Sequence, residues 1–247
     1  MRKNRTRTAG ALLSASILAL SAAAGGFTSA TAENESEAVD SSVSFVLTDG
    51  RVIPGEDYAM RVDIIGTAFT SSGVPQPITL KLHVGDETAE PFGDADSTAG
   101  DVNKSVLPVT SHVFPSMRQA EESITITATS WSGGDKNLTR NSHDQSAFVK
   151  VLRNGDAVPN IEGFDNQENA AYFLRPYLTP DGSHVWLHDT QVIYLFEVGT
   201  TDATSDAADF QDVVVLVTLG ESVIDVEEPQ PPRNSYAVPM RSPLLAD

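Results

Sequence analysis

Residues 192–217 read VIYLFEVGTTDATSDAADFQDVVVLV. Val192 to Phe196 and Val213 to Val217 are apolar at consecutive positions. Successive side chains of a strand point to opposite faces, so a run without a polar face is buried on both sides. The two runs therefore predict antiparallel neighbours in the interior of a sheet system. Between them lie five carboxylates, at Glu197, Asp202, Asp206, Asp209 and Asp212, and no Lys or Arg occurs between Pro176 and Pro232. Like charges crowded on one loop cost free energy unless they are solvated, protonated or bridged by a cation. The connection is also longer than a tight hairpin needs, and long connections in compact domains are often functional.

Outward from this stretch, strand signals dominate. ITLKLHV at 78–84 alternates Ile78, Leu80, Leu82 and Val84 with Thr79, Lys81 and His83. ESITITATSW repeats the pattern with Ile124, Ile126 and Ala128 against Thr125, Thr127 and Thr129. Further strands are expected in SVSFVL, in RVI, across Tyr58–Ala68, before Asn154 and in HVWL. Asp49-Gly50 and Asn154-Gly155 are tight-turn signals, because Gly tolerates a positive φ. The stretches 91–105 and 131–145 read as loops. One segment has helical spacing: Ala170, Phe173, Leu174 and Tyr177, with Asp165 as N-cap, Glu168 as its capping-box partner and Pro176 as the stop. The pattern predicts a mainly β chain, an antiparallel β-sandwich of jelly-roll-like character with one short helix near 166–176. A sandwich to about 152 followed by a small α+β unit is the alternative.

The termini carry a different signal. Arg2, Lys3, Arg5 and Arg7, then ALLSASILAL, then Ala30-Thr31-Ala32 form the three-part layout of a secretory signal peptide over residues 1–32. Residues 33–42 read as a flexible leader, 43–220 as the β-sandwich domain, and 221–247 as a Pro-rich disordered tail. The expected localisation is extracellular or cell-surface, with the periplasm as a variant. There is no cysteine, hence no disulfide and no lipidated-cysteine anchor. The whole chain has net charge −18; cleavage after Ala32 removes four basic residues and no acidic one, leaving 12 basic against 34 acidic, a net −22. Such a surface repels nucleic acid and anionic lipid. No integral membrane segment is expected after cleavage. A saline habitat would favour the same acidity through solubility alone.

Phe196-Glu197, an acidic gap and then Asp209-Phe210-Gln211-Asp212 before an apolar strand resemble the C-terminal hairpin of a bacterial family of unknown function. That family occurs in exported and surface proteins, and its hairpin reads F-E-D, an acidic loop, D-[FY]-N-D, then a strand. The likeness covers residues 192–219 and departs at Val198, Gln211 and Ala207. It implies a sandwich element with a calcium site, carried over to Glu197, Asp209 and Asp212. Asp206 is a further, weaker metal candidate, and Ca²⁺ is the expected cofactor, since it takes six to eight oxygen ligands.

Other constellations are thinner. Asp94, Asp96, Thr98 and Asp101 begin like an EF-hand loop, but Ala99 stands at the glycine position and no Glu closes it. Of His83, His112, His143, His184 and His188, the last two are four apart in a strand-like run, about 13 Å and too far for one zinc. No nucleophile elbow, phosphate loop or dinucleotide fingerprint is present. Asn34, Asn103 and Asn137 head N-x-S/T triplets, from which a bacterial-type leader draws no expectation. The leading expectation is a non-enzymatic structural or interaction module with a protein or polysaccharide partner at the surface or in the matrix. The alternatives are a carbohydrate-binding module using Trp131 and Trp186, and a hydrolase using paired carboxylates.

Overall fold

The structure, a computed structural model, describes residues 43–104, 110–144, 147–159 and 170–227. The signal-peptide and leader segments, Asp165, Glu168 and the chain beyond 227 lie outside them. In chain order the strands are β1 (Phe45–Thr48), β2 (Arg51–Pro54), β3 (Ala59–Thr67), β4 (Thr70–Ser71), β5 (Val74–Pro75), β6 (Ile78–Val84) and β7 (Glu87–Ala89). They continue with β8 (Ser111–Val113), β9 (Ile124–Ser132), β10 (Asp135–Asn141), β11 (Val149–Leu152), β12 (Gln191–Phe196) and β13 (Val213–Gly220). Among the described residues, two short helices, α1 (Ala170–Leu174) and α2 (Val223–Glu227), complete the regular structure with three 3₁₀ turns.

The first sheet runs β1-β2-β9-β6-β7, with β10 also paired to β9. The second runs β11-β12-β13-β3-β8, and β4-β5 is a separate minimal hairpin. Every pairing is antiparallel. The alternating residues of β6 and β9 supply one wall of a shared core, with Leu80, Leu82 and Ile126 packed among Val62, Tyr194, Phe196 and Val215 of the second sheet. This is a β-sandwich, as the alternation predicts.

The doubly buried runs have a specific cause. The odd face of β12 and the even face of β13 (Ile193, Leu195, Val214 and Leu216) form a second core with Leu152, Ala170, Leu174, Val185 and Leu187. After β11 the chain turns at Asn154-Gly155, where Gly155 has φ 85, and the described residues of the segment before β12 pack on the outer face of the second sheet. That strap covers β12 and β13 from outside. Burying each such side chain contributes about 1.5–3 kcal/mol. β11 pairs with β12 and β13 with β3, so residues on both sides of 152 share one sheet.

Three expectations need correction. HVWL is not a strand; its region makes only the isolated bridges Ala157↔His184 and Leu178↔Val185, because it lies across the sheet rather than beside it. β10 occupies a stretch read as loop. Its residues are mostly exposed, so it lacks alternation and is held by the backbone ladder to β9. The short helix expected near 166–176 is present in its described part, Ala170–Leu174, and passes into a 3₁₀ turn with Pro176 in its first positions. Finally, the domain does not end at 220. Val226 of α2 is buried, and Arg61 donates to its carbonyl. Ser222 caps this helix by accepting from the Asp225 N–H and donating to the Asp225 carboxylate.

Candidate functional site

The site sits at the mouth of the β12–β13 hairpin. The register pairs Phe196 with Val213, which sets Glu197 opposite Asp212 one step further out. Backbone bonds from both flanks tie this mouth down: Glu197 N donates to the Phe148 carbonyl at 2.9 Å, and Ala68 N to the Asp212 carbonyl at 3.3 Å. From the first sheet, Ser130 Oγ donates to the Val198 carbonyl at 2.7 Å. Ordered strands on three sides thus fix the root of the acidic loop.

The loop folds back on Glu197. Oε1 accepts from the amides of Gly199 (2.8 Å) and Thr200 (3.1 Å). Oε2 accepts from those of Asp209 (3.1 Å) and Phe210 (3.4 Å). One carboxylate therefore gathers four backbone donors from both ends of the connection. Asp212 Oδ2 accepts from Val198 N at 2.6 Å. Phe210 has φ 58, the left-handed region that L residues seldom adopt. This turns the chain so that Asp209 and Asp212, on either side of Phe210-Gln211, both face inward.

Glu197, Asp209 and Asp212 are 0%, 2% and 4% exposed. One carboxylate oxygen from each lies within 4.8 Å of the others, the one such group among the described residues. Burial pushes the Asp212 carboxyl well above the usual carboxylate range, and the neighbouring Glu197 charge adds to the effect. Asp202 and Asp206 remain exposed and outside the group, so the weaker candidate Asp206 does not join it. Two cations approach from elements remote in sequence. Arg140 donates to the Thr200 carbonyl at 3.0 Å, and the Lys150 ammonium stands 4.2 Å from the Phe210 ring centroid. Both engage the loop's backbone or ring.

Sequence reasoning found the three acids and missed their setting. Gly199 is the clearest omission. A Cβ there would lie 3.1 Å from Glu197 Oε1 and 3.4 Å from Asp212 Oδ2, so the glycine leaves room beside the carboxyls. Its one sequence signal is a glycine three residues beyond the apolar run that ends at Phe196. The donor set is all hard oxygen. Ligands held at 2.3–2.6 Å from one Ca²⁺ stand at most about 5 Å apart, so the observed spacing fits such an ion.

The other candidates disperse. Asp96 pairs with Lys81 and Lys136, both at 2.7 Å, and these partners hold its carboxyl down at about 2. Asp94 accepts from Asp96 N and Ser97 Oγ, and Asp101 from Ile78 N and Asn103 N, so this loop uses its acids as turn caps. His184 meets Ser183, and His83 lies between Thr88 and Thr127. Trp131 is buried and donates its indole N–H to Thr79, whereas Trp186 is half-buried on the strap over the other sheet. The two rings belong to different layers and make no common stacking face. Burial of Glu197 and Asp212 likewise keeps a glycoside from reaching them.

Comparison with family models, with curated proteins and with solved structures finds no match to this chain. Among the described residues no helix is long and apolar enough to cross a membrane.

Proposed function

We propose that the protein is an exported, non-enzymatic β-sandwich module with a structural or interaction role at the cell surface or in the matrix, engaging a protein or polysaccharide. Its hairpin mouth takes one positive guest among Glu197, Asp209 and Asp212: a hard divalent cation, Ca²⁺ in the calcium-rich exterior, or a proton. The observation that carries this is the burial of three carboxyls within 4.8 Å of one another. Buried charge must be paired, neutralised or coordinated. The leader-like N-terminus and the resemblance of residues 192–219 to an exported family support the same reading. Calcium there ties the two ends of the loop together and stabilises the sandwich by mass action.

A second reading keeps the proton and dispenses with the metal. It is favoured by the four amide donors on Glu197, which occupy the lone pairs of that carboxylate, and by the raised Asp212 carboxyl. Thermal melts of the full chain separate the two. With Kd near 10⁻⁴ M, typical of extracellular calcium modules, 10 mM Ca²⁺ contributes about 2.7 kcal/mol, a shift of roughly 5–10 °C. The shift is expected to vanish with EDTA and in Asp209→Asn plus Asp212→Asn. A melting temperature that Ca²⁺ leaves unchanged at each pH from 6 to 8 leaves the proton-only reading.

A further inference from the structure

The three N-x-S/T triplets are not equivalent once the chain is folded. Asn34 lies outside the described residues. Asn103 is 8% exposed, and its Nδ2 donates to the carbonyls of Phe69 (2.5 Å) and Gln76 (2.8 Å). Both hydrogens of that amide are thus committed, and a substituent on Nδ2 breaks at least one of these bonds in a closed interior.

Asn137 is in the opposite situation. It is exposed, and its carboxamide makes no hydrogen bond among the described residues. It sits just after the Gly133-Gly134 turn, where the β9–β10 register slips between Lys136 and Thr139. The slip sets Asn137 and Leu138 opposite Ser130 alone, and Leu138 N bonds the Ser130 hydroxyl instead of a ladder carbonyl. Among the described residues β10 pairs only with β9, which leaves its other edge without a strand partner. Thr139, which completes the triplet, is exposed, as is Asp135, two residues ahead of the acceptor.

We propose that Asn137 is an acceptor for an N-linked oligosaccharide, an inference that rests on the export reading. The donor class is a polyprenyl-diphosphate-linked oligosaccharide. The Asn137 Nδ2 bonds to the anomeric carbon, the bond from that carbon to the phosphate oxygen breaks, the polyprenyl diphosphate leaves, and one amide proton passes to the transferase. The result covers an open sheet edge with a hydrated polymer, blocking the edge-to-edge pairing that exposed strands invite.

The test is mass spectrometry of the protein recovered from outside its producing cells, wild type beside Asn137→Gln and Asn103→Gln. The expected result is a mass increment of whole sugar residues on the peptide containing Asn137, lost in Asn137→Gln and retained in Asn103→Gln. An exported chain with that peptide unmodified, or with the sugar on Asn103, overturns the proposal. The N-terminal peptide of the same sample reads export separately. A chain kept inside the cell with residues 1–32 attached overturns export and this modification together, while leaving calcium binding to the melts.

Discussion

Asp212 binds its proton more tightly in the fold than in the unfolded chain, because the charged form is both desolvated and set against Glu197. The stability this group supplies is therefore complete below its ordinary value of 3.8 and is lost as pH rises through the raised folded value. Metal-free protein is expected to lose stability as pH climbs from about 4 toward neutrality, and calcium to restore it at the upper end. Asp212→Asn removes the titration and keeps an acceptor for the Val198 amide. Its metal-free melting temperature is expected to exceed that of wild type at pH 7.5, and the difference to shrink as pH falls toward 4. A difference between the two proteins that stays constant over this range contradicts the assignment. Tyr194 offers an independent residue-scale check. Its hydroxyl is fully buried with no hydrogen-bond partner among the described residues, and burial raises its pKa far above the usual phenol range. Tyr194→Phe is expected to be neutral or to stabilise by up to about 1 kcal/mol in urea titrations, since it removes an unsatisfied polar atom.

Among the elements, the strap over the second sheet explains most of what is unusual in the chain. It lets α1 lie directly on β3. A Cβ at Gly66 would come within 2.3 Å of Phe173 Cγ, so only glycine admits that ring. Gly66→Ala is expected to destabilise by about 1–3 kcal/mol through overpacking, read as a lower urea midpoint at unchanged slope. At the other end of the sheet, α2 depends on its Ser222 cap. Ser222→Ala is expected to cost about 1 kcal/mol. The cap was visible as Ser-x-x-Asp, yet the five-residue helix is too short to show a 3.6-residue period. The strap escaped for a related reason. Val185 and Leu187 alternate like strand residues, but they face a sheet that they cross rather than extend. β10 was hidden because an exposed edge strand imposes no hydropathy pattern on its residues.

For the whole molecule, charge and burial act in different places. The net charge of −18 makes the folded surface self-repelling, so monovalent salt is expected to raise the melting temperature gradually as it screens. A bound divalent ion behaves differently. Its stabilisation is expected to persist at about 1 M KCl, where surface charges beyond about 3 Å are screened, and to be abolished by the Asp209 and Asp212 substitutions. If KCl and Ca²⁺ act interchangeably in melts, the acidity is an adaptation of the surface alone. His83 and His112 add an acid limb. Burial lowers both below 6.5, so their contribution is present above that value and lost as pH falls from it through the lowered folded values.

Local chemistry along the chain determined the fold class, the interior place of β12 and β13, the Asp49-Gly50 hairpin and the identity of the three clustered acids. Each depends on periodicity, turn propensity or composition, which act over a few residues. Only the tertiary structure decided that the acids are buried, that four amides converge on Glu197, that Arg140 and Lys150 reach the rim, and that Asn103 is locked while Asn137 stands open. Those outcomes depend on which strands become neighbours across more than a hundred residues, and the register of such pairings is a property of the packed sheets rather than of any one segment.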